Sequence, residues 1–242
     1  SLHWYRSPLA HTAPTVDGTS QQRVQAPLVA FDDDGRPGWV SATVALRPGL
    51  VVRRSVVVVG DYLIDRLEWE GETAHELTLP LHGVDIVDER GEPLRRAPAT
   101  LAGGDEAEDG FGHLRETRRV DAPTGPVALL RGTHDEHIAG GLRGWVSVPD
   151  GARWESALAP DVPSRPGVAP ILLLRATARR GQFVGVWSWR GSVANVEMTD
   201  DDVVVVLADD AHAEHGRSDT GWIIDRMRVG ERERIVLGGM AD

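Results

Sequence analysis

The chain has 242 residues, of which 41% are hydrophobic and 26% charged, a composition ordinary for a globular protein and long enough for one sizeable domain or two small ones. Its formal net charge of −11 argues against nucleic acid and anionic membranes as main partners, and no apolar run approaches the ~18–20 residues of a membrane-spanning helix. The absence of cysteine excludes disulfides and thiolate chemistry, and all 26 basic residues are arginines.

The first part of the chain has the pattern of strands joined by short turns. The predicted strands there cover 40–46, 51–59, 62–69 and 75–82. Gly60 and Asp61 separate two β-branched runs, which is a hairpin signal. Pro80 lacks a backbone N–H, so its strand is expected to lie at an edge or to carry a bulge there.

The rest of the chain has the same character. The strands predicted there cover 126–130, 142–148, 171–178, 182–189, 203–207, 222–228 and 234–237. The Arg-Arg-Gly tripeptide at 179–181 predicts a turn, and the acidic segment 97–112 and the Pro-rich segment 159–170 predict loops. Without a helical apolar stripe, the pattern predicts an all-β fold, an antiparallel β-sandwich with little or no helix. We expect one domain over 1–242, with a candidate subdomain boundary in 159–170.

A segment near the start carries a specific combination of residues. The run WYRSP at 4–8 leads to His11, and the tripeptide VDG at 16–18 and Gln21 follow. This order resembles a segment in the β-sheet domain of heparinase II/III-like polysaccharide lyases. In that family an aromatic-Arg-Ser run leads to a histidine and then to a short strand that ends in Val-Asp-Gly.

The resemblance continues more weakly through the first third of the chain. RRSV at 53–56 begins a strand that turns into YLIDR at 62–66, and LPLHG at 79–83 is similar to the return strand of the family. Thr12 stands where the family usually has asparagine. Beyond residue 100 the chain matches the family only as generic strands.

The resemblance implies that the chain is the C-terminal β-sandwich portion of a larger lyase, preceded by an α-helical toroid. It implies that His11 is the last of three protein ligands, His, Asp and His, to a divalent metal, with zinc expected and the other two ligands upstream. The chain alone is then expected to lack the ion. The implied reaction is β-elimination in acidic, uronic acid-containing polysaccharides, in a secreted or periplasmic protein. Since most catalytic residues of the family precede this segment, we expect this chain alone to be inactive.

Such an elimination needs a tyrosine or histidine of tuned pKa close to the sugar. Tyr5 and His3, which lie near His11 in the sequence, and His82, at the end of a predicted strand, are the candidates. For Tyr5 the alternative is an aromatic residue that anchors a strand. For His11 two alternatives to metal binding stay open, a buried structural histidine and a catalytic base.

Three residues are candidates for binding the substrate. Arg6 lies inside the resembling segment, and an anionic polymer requires local arginines. Trp187 and Trp189 share one face of a predicted strand, where their rings could stack on sugars. Packing in the core is the alternative for both tryptophans.

Other polar clusters are less specific. HDEH at 134–137 is typical of a solvated loop, and His212 and His215 could share a metal only on a helical turn. The acidic runs at 32–35 and 200–202 could attract calcium, but neither has the spacing of an EF-hand loop, and acidic turns are common.

Other functions remain open beside the lyase. A non-catalytic carbohydrate-binding or structural β-sandwich module that shares the His11 motif is the alternative, and an accessory domain of a hydrolase is a third. The coding sequence upstream of Ser1 discriminates between them, because a helical segment carrying the missing His and Asp ligands would favour the lyase.

Overall fold

The computed structural model of the chain describes residues 2–21, 24–32, 37–101, 109–123, 125–132, 141–161, 167–199, 201–209, 211–218, 221–228 and 231–238. Nearly all regular structure in these residues is strand, apart from the short helix α1 (Leu2–Arg6) and 3₁₀ turns at Pro8–Ala10 and Phe111–His113. No helix in the described part is long and apolar enough to cross a membrane. The all-β prediction is confirmed.

The strands pair in antiparallel fashion throughout the described residues. They are β1 (Thr15–Val16), β2 (Leu28–Asp32), β3 (Gly38–Arg47), β4 (Leu50–Val59), β5 (Tyr62–His82), β6 (Val84–Val87), β7 (Arg96–Pro98), β8 (Arg115–Val120), β9 (Ala128–Gly132), β10 (Arg143–Ser147), β11 (Arg153–Pro160), β12 (Val168–Ser188), β13 (Val193–Met198), β14 (Val203–Leu207), β15 (His212–Ser218), β16 (Gly221–Arg228) and β17 (Glu231–Gly238). The strands β1 to β12 form one sheet, and β13 to β17 form a second.

Two strands of 21 residues each, β5 and β12, form the spine of the large sheet. They pair from Tyr62↔Ser188 to His82↔Ile171. On one side of this ladder, β4 pairs with the first half of β5 and β1 with its second half. On the other side, β11 pairs with the first half of β12 and β10 with its second half. The sheet therefore branches from the ladder into two groups of strands.

The ladder curves around one apolar core. Leu67 and Trp69 from the first half of β5 lie in the same buried cluster as Leu79 and Leu81 from its second half. In a straight strand, with a rise of about 3.3 Å per residue, the first and last of these side chains would lie roughly 45 Å apart. The two halves of the large sheet thus face each other as the layers of a sandwich.

The turn predicted at 179–181 is wrong. β12 continues through this tripeptide, and only an irregularity in its pairing with β5 lies between Ala178 and Arg180. Gly181 serves packing instead, because a Cβ atom there would collide with the indole ring of Trp69. The two separate strands predicted within β5 are likewise one strand.

Two proline-containing segments lie within the large sheet. Pro80 pairs with Leu173 of β12, whereas on the other side of β5 the pairing with β1 reaches only Thr78, so this proline lies at an edge as predicted. The segment predicted as a loop at 159–170 is strand at both ends, because β11 runs to Pro160 and β12 begins at Val168, and these two strands pair directly. A subdomain boundary at 159–170 stays a prediction.

The second sheet, a meander from β13 to β17, packs on the outer face of the large sheet. Tyr62 and Ile64 of β5 and Val184 of β12 form a second buried cluster with Val205 of β14 and Trp222 of β16. These residues of β5 alternate with those that face the first core, so they point to the opposite side. The large sheet is therefore covered on both faces at this end.

Candidate functional site

The segment that leads to His11 folds as helix α1 and a 3₁₀ turn before it enters β1. Tyr5 therefore lies on a helix, and its role as a strand-anchoring aromatic depends on what its side chain contacts. Trp4 and Leu9 are fully buried against Ile171 and Leu173, on the outer face of the first half of β12. The apolar contact fixes the N-terminal segment on the sandwich.

Two histidine rings flank Trp4. The ring centroid of His82, at the end of β5, lies 6.3 Å from that of Trp4, and the centroid of His113, in a 3₁₀ turn, lies 6.1 Å from it, both at 68°. His113 was missed in the sequence analysis, because no spacing or motif connects it with the N-terminal segment. The tertiary structure brings these three rings together.

The flanking histidines have free ring nitrogens in a buried setting. His82 hydrogen-bonds through its ring to the backbone of Leu9, while its Nε2 is buried and finds no hydrogen-bond partner among the described residues. Burial lowers the pKa of His82 despite this bond, and it lowers the pKa of His113, whose Nε2 is also buried without a partner in the described chain. Both rings are therefore neutral near pH 7 and able to accept a proton or a ligand.

His11 is exposed, as the metal-ligand interpretation requires. Its Nε2 lies 3.1 Å from the backbone oxygen of Tyr5. Because a carbonyl oxygen only accepts, Nε2 carries the proton and Nδ1 is left as the acceptor. After burial, the positive charge of His11 is a further cause that lowers the pKa of His82.

The remaining candidates at this site differ in their surroundings. The hydroxyl of Tyr5 donates a hydrogen bond to the backbone oxygen of Asp161 at 2.6 Å, so it ties α1 to the end of β11. His3 and Arg6 are exposed on the same helix. The catalytic roles of Tyr5, His3 and His82 and the binding role of Arg6 stay predictions.

The tryptophans predicted to stack on sugars lie near the other end of β12. Trp187 is half-buried, packs against the first core and covers Gly144, where an added Cβ would lie 2.6 Å from Cζ3 of its ring. Trp189 is half-buried just beyond the strand. The packing of Trp187 accounts for its position, and sugar stacking by either residue stays a prediction.

The other predicted clusters do not form a site in the described residues. His212 and His215 lie on strand β15, where residues three apart point to opposite faces, so the helical turn needed for a shared metal is absent. His215 is buried and bonds to Tyr62. The whole run 134–137 lies outside the described residues, as do residues 33–35 and residue 200 of the two acidic runs.

A metal could use part of this site. Ligating histidines almost always donate their second ring N–H to a backbone carbonyl or a carboxylate. His11 and His82 each have one ring nitrogen bonded to the backbone of the N-terminal segment, and Nε2 of His82 has no hydrogen-bond partner among the described residues. Within the described part of the chain, however, no group of three or more His, Asp or Glu side chains could hold an ion. These two residues fit a metal only as part of a larger ligand set.

Comparisons with known proteins show which solved structures share the fold. No protein-family model and no curated protein matches the chain. Among solved structures, the chain is similar to heparinase III, the BT4657 gene product, with a TM-score of 0.53 and 11% identity over 97% of this chain and 31% of that one. It is also similar to the heparan sulfate lyase HepC from Pedobacter heparinus, with a TM-score of 0.52 and 11% identity over 99% of this chain and 32% of that one.

A further heparinase III structure matches with a TM-score of 0.52 and 9% identity over 98% of this chain and 30% of that one. At these identities the likeness shows the fold alone. The chain thus has the fold of the β-sandwich part of heparinase III, and it spans about a third of the length of these structures.

Proposed function

We propose that this chain is the β-sandwich part of a polysaccharide lyase that cleaves uronic acid-containing polymers by β-elimination. One observation carries the proposal: the fold matches heparinase III chains over 97% of its length. The two histidines that flank Trp4 support it, since they offer neutral imidazoles for proton transfer. On this proposal the protein is secreted or periplasmic, and an α-helical domain of the same protein covers the site.

In this proposal His11 contributes one ligand to a divalent metal, expected to be zinc, together with residues from outside this chain. When bound, such an ion would supply positive charge that stabilises negative charge on the uronic acid carboxylate. His82, whose Nε2 is buried and unbonded in the described chain, is the residue that we expect to accept or hold a proton at that atom. Arg6, exposed on α1, offers a donor for the anionic polymer.

The test uses the chain alone and the chain joined to the segment that precedes it in its gene. Formation of the unsaturated product from heparan sulfate or alginate is followed by absorbance. We expect cleavage by the longer protein and none by the 242-residue chain, because the neutralising group, base and acid must be preorganised together. In the longer protein His82→Gln is expected to lower kcat by ~10²–10⁴-fold.

His212→Gln is the matched control, because it removes a half-buried histidine from the distant second sheet. It should leave kcat unchanged. A longer protein that cleaves no uronic acid polymer contradicts the proposal. Cleavage by the chain alone shows instead that Tyr5, His3 or His82 suffices.

A non-catalytic carbohydrate-binding or structural module is the second candidate. The observation that favours it is that the likeness to heparinase III, at 11% identity, shows the fold and no catalytic residue. Binding of the same polymers by the chain alone, in a longer protein that has no lyase activity, would support this candidate.

A further inference from the structure

One arginine joins three of the segments that carry the sequence resemblance. Arg54 of β4 donates from Nε to Oδ1 of Asp65 at 2.8 Å and from Nη2 to Oδ2 at 2.6 Å, across to β5. Its remaining nitrogen, Nη1, donates to the backbone oxygen of Thr12, the residue after His11. The segments RRSV, YLIDR and the His11 run are thus linked through a single side chain.

The geometry of Arg54 is fixed by its partner. Two parallel bonds to one carboxylate hold the guanidinium in a defined plane, and bonds of this charge-assisted kind are stronger than neutral ones. Burial alone would lower the pKa of Arg54, but hydrogen bonding to Asp65 raises it. The orientation of Nη1 toward Thr12 therefore follows from the pairing of β4 with β5.

The neighbouring backbone leaves little freedom between this contact and His11. The N–H of His11 donates to the carbonyl of Pro8 at 3.0 Å, and the N–H of Ala13 donates to the carbonyl of His11 at 2.7 Å. Arg47 donates from Nη2 to the carbonyl of Val16 at 3.0 Å. The chain on either side of Thr12 is therefore held at short intervals.

We propose that Arg54, oriented by Asp65, is a positioning residue that holds the backbone after His11 and thereby sets where the His11 ring is presented. That this ring is a metal ligand rests on the proposed function. The positioning itself does not, because it concerns contacts within this chain.

The decisive variant is Arg54→Lys. A lysine keeps a positive charge beside Asp65, but its single ammonium cannot form the planar fork and also reach Thr12. Amide hydrogen exchange is measured by NMR at His11 and Ala13, whose N–H groups are bonded within this segment. Losing a charge-assisted bond is expected to speed exchange at these amides by about 10- to 100-fold, while amides of β12 keep their rates.

The control variant is Arg180→Ala, which removes another arginine ion pair between strands of the large sheet, with Glu70 at 2.6 Å. That pair is exposed, and its removal should leave exchange at His11 and Ala13 as in the wild type. The urea unfolding midpoint of each variant shows whether faster amide exchange reflects a local change at the His11 segment or a loss of global stability. Because Arg54→Ala could destabilise the whole sheet, it is used only as a second variant in the same comparison.

Wild-type exchange rates at His11 and Ala13 in Arg54→Lys would overturn the proposal, as would an equal acceleration throughout β12. In the longer protein, Arg54→Lys should also weaken zinc binding, measured by competition with a chelator. Faster local exchange with unchanged zinc affinity keeps the positioning role and contradicts the metal role of His11.

Discussion

His215 makes the stability of this protein sensitive to moderate acidity. Its ring is buried between the two sheets with 0% exposure, and its Nε2 lies 2.9 Å from the hydroxyl of Tyr62. Its Nδ1 has no hydrogen-bond partner among the described residues. Burial lowers the pKa of His215 to about 3, and the positive charge of Arg226 acts in the same direction.

The direction of the effect follows from proton linkage. The unfolded chain binds a proton at this histidine below its ordinary pKa of 6.5, whereas the folded chain does so only near pH 3. The stabilisation is therefore present above pH 6.5 and is lost as the pH falls toward 3. At pH 5 the loss relative to pH 8 amounts to ~2 kcal/mol, since each pH unit in this window contributes ~1.4 kcal/mol.

The measurement compares wild type with His215→Gln by urea unfolding at several pH values between 8 and 5. Glutamine retains a polar group for Tyr62 but does not titrate. The difference in unfolding free energy between the two proteins should shift by ~2 kcal/mol in favour of the variant as the pH falls to 5. His212→Gln, on the same strand, controls for removal of a histidine. Parallel curves for wild type and His215→Gln would show that His215 titrates alike in the folded and unfolded chains.

Three other predictions concern packing, a buried charge and secondary structure. Gly181→Ala should lower the unfolding free energy by ~1–3 kcal/mol, because the added Cβ collides with Trp69. Gly125→Ala is the control and should have little effect, since only a backbone atom at 3.9 Å lies near its Cβ. Equal urea midpoints for the two variants would contradict the prediction. Arg175→Met should lower the unfolding free energy by ~1–3 kcal/mol, because it removes the buried cation between Glu76 and Glu155 and leaves only the more exposed Arg153 to pair with both carboxylates; a thermal midpoint close to wild type would show that Arg153 and water suffice for them. The circular dichroism spectrum should be that of antiparallel strand, and a helix-dominated spectrum would contradict the fold.

Local pattern in the sequence determined most of the strands. The strand predicted at 203–207 has the same bounds as β14, and the turn at Gly60 and Asp61 joins β4 to β5 as expected. Turn chemistry was equally local: Asp17 has a φ of 53° and Gly18 a φ of 71°, where the chain reverses between β1 and Thr19. Side-chain alternation and positive φ depend on neighbouring residues, so they can be read from a short window.

Strands with charged inner positions escaped that pattern. β11 was missed because it lacks an apolar alternation, although Glu155 is one of its buried residues. The carboxylate is buried because Arg175 of the neighbouring strand bonds to it at 3.0 Å. β8 and β15 consist mostly of polar residues, so they too lack an apolar alternation and were missed. An arginine on another strand that neutralises a buried carboxylate cannot be recognised from a short stretch of sequence.

The composition of the candidate site was decided only by the tertiary structure. The sequence by itself indicated His11 and His82, but their nearness to each other and to His113 depends on the path of the long ladder between them. The continuation of β12 through 179–181, where a turn was predicted, belongs to that path. The physical reason is that burying the side chains of Trp69 and Trp4 requires segments distant in the sequence to come together. The free energy gained by this burial depends on the assembled surface and not on any stretch of neighbouring residues.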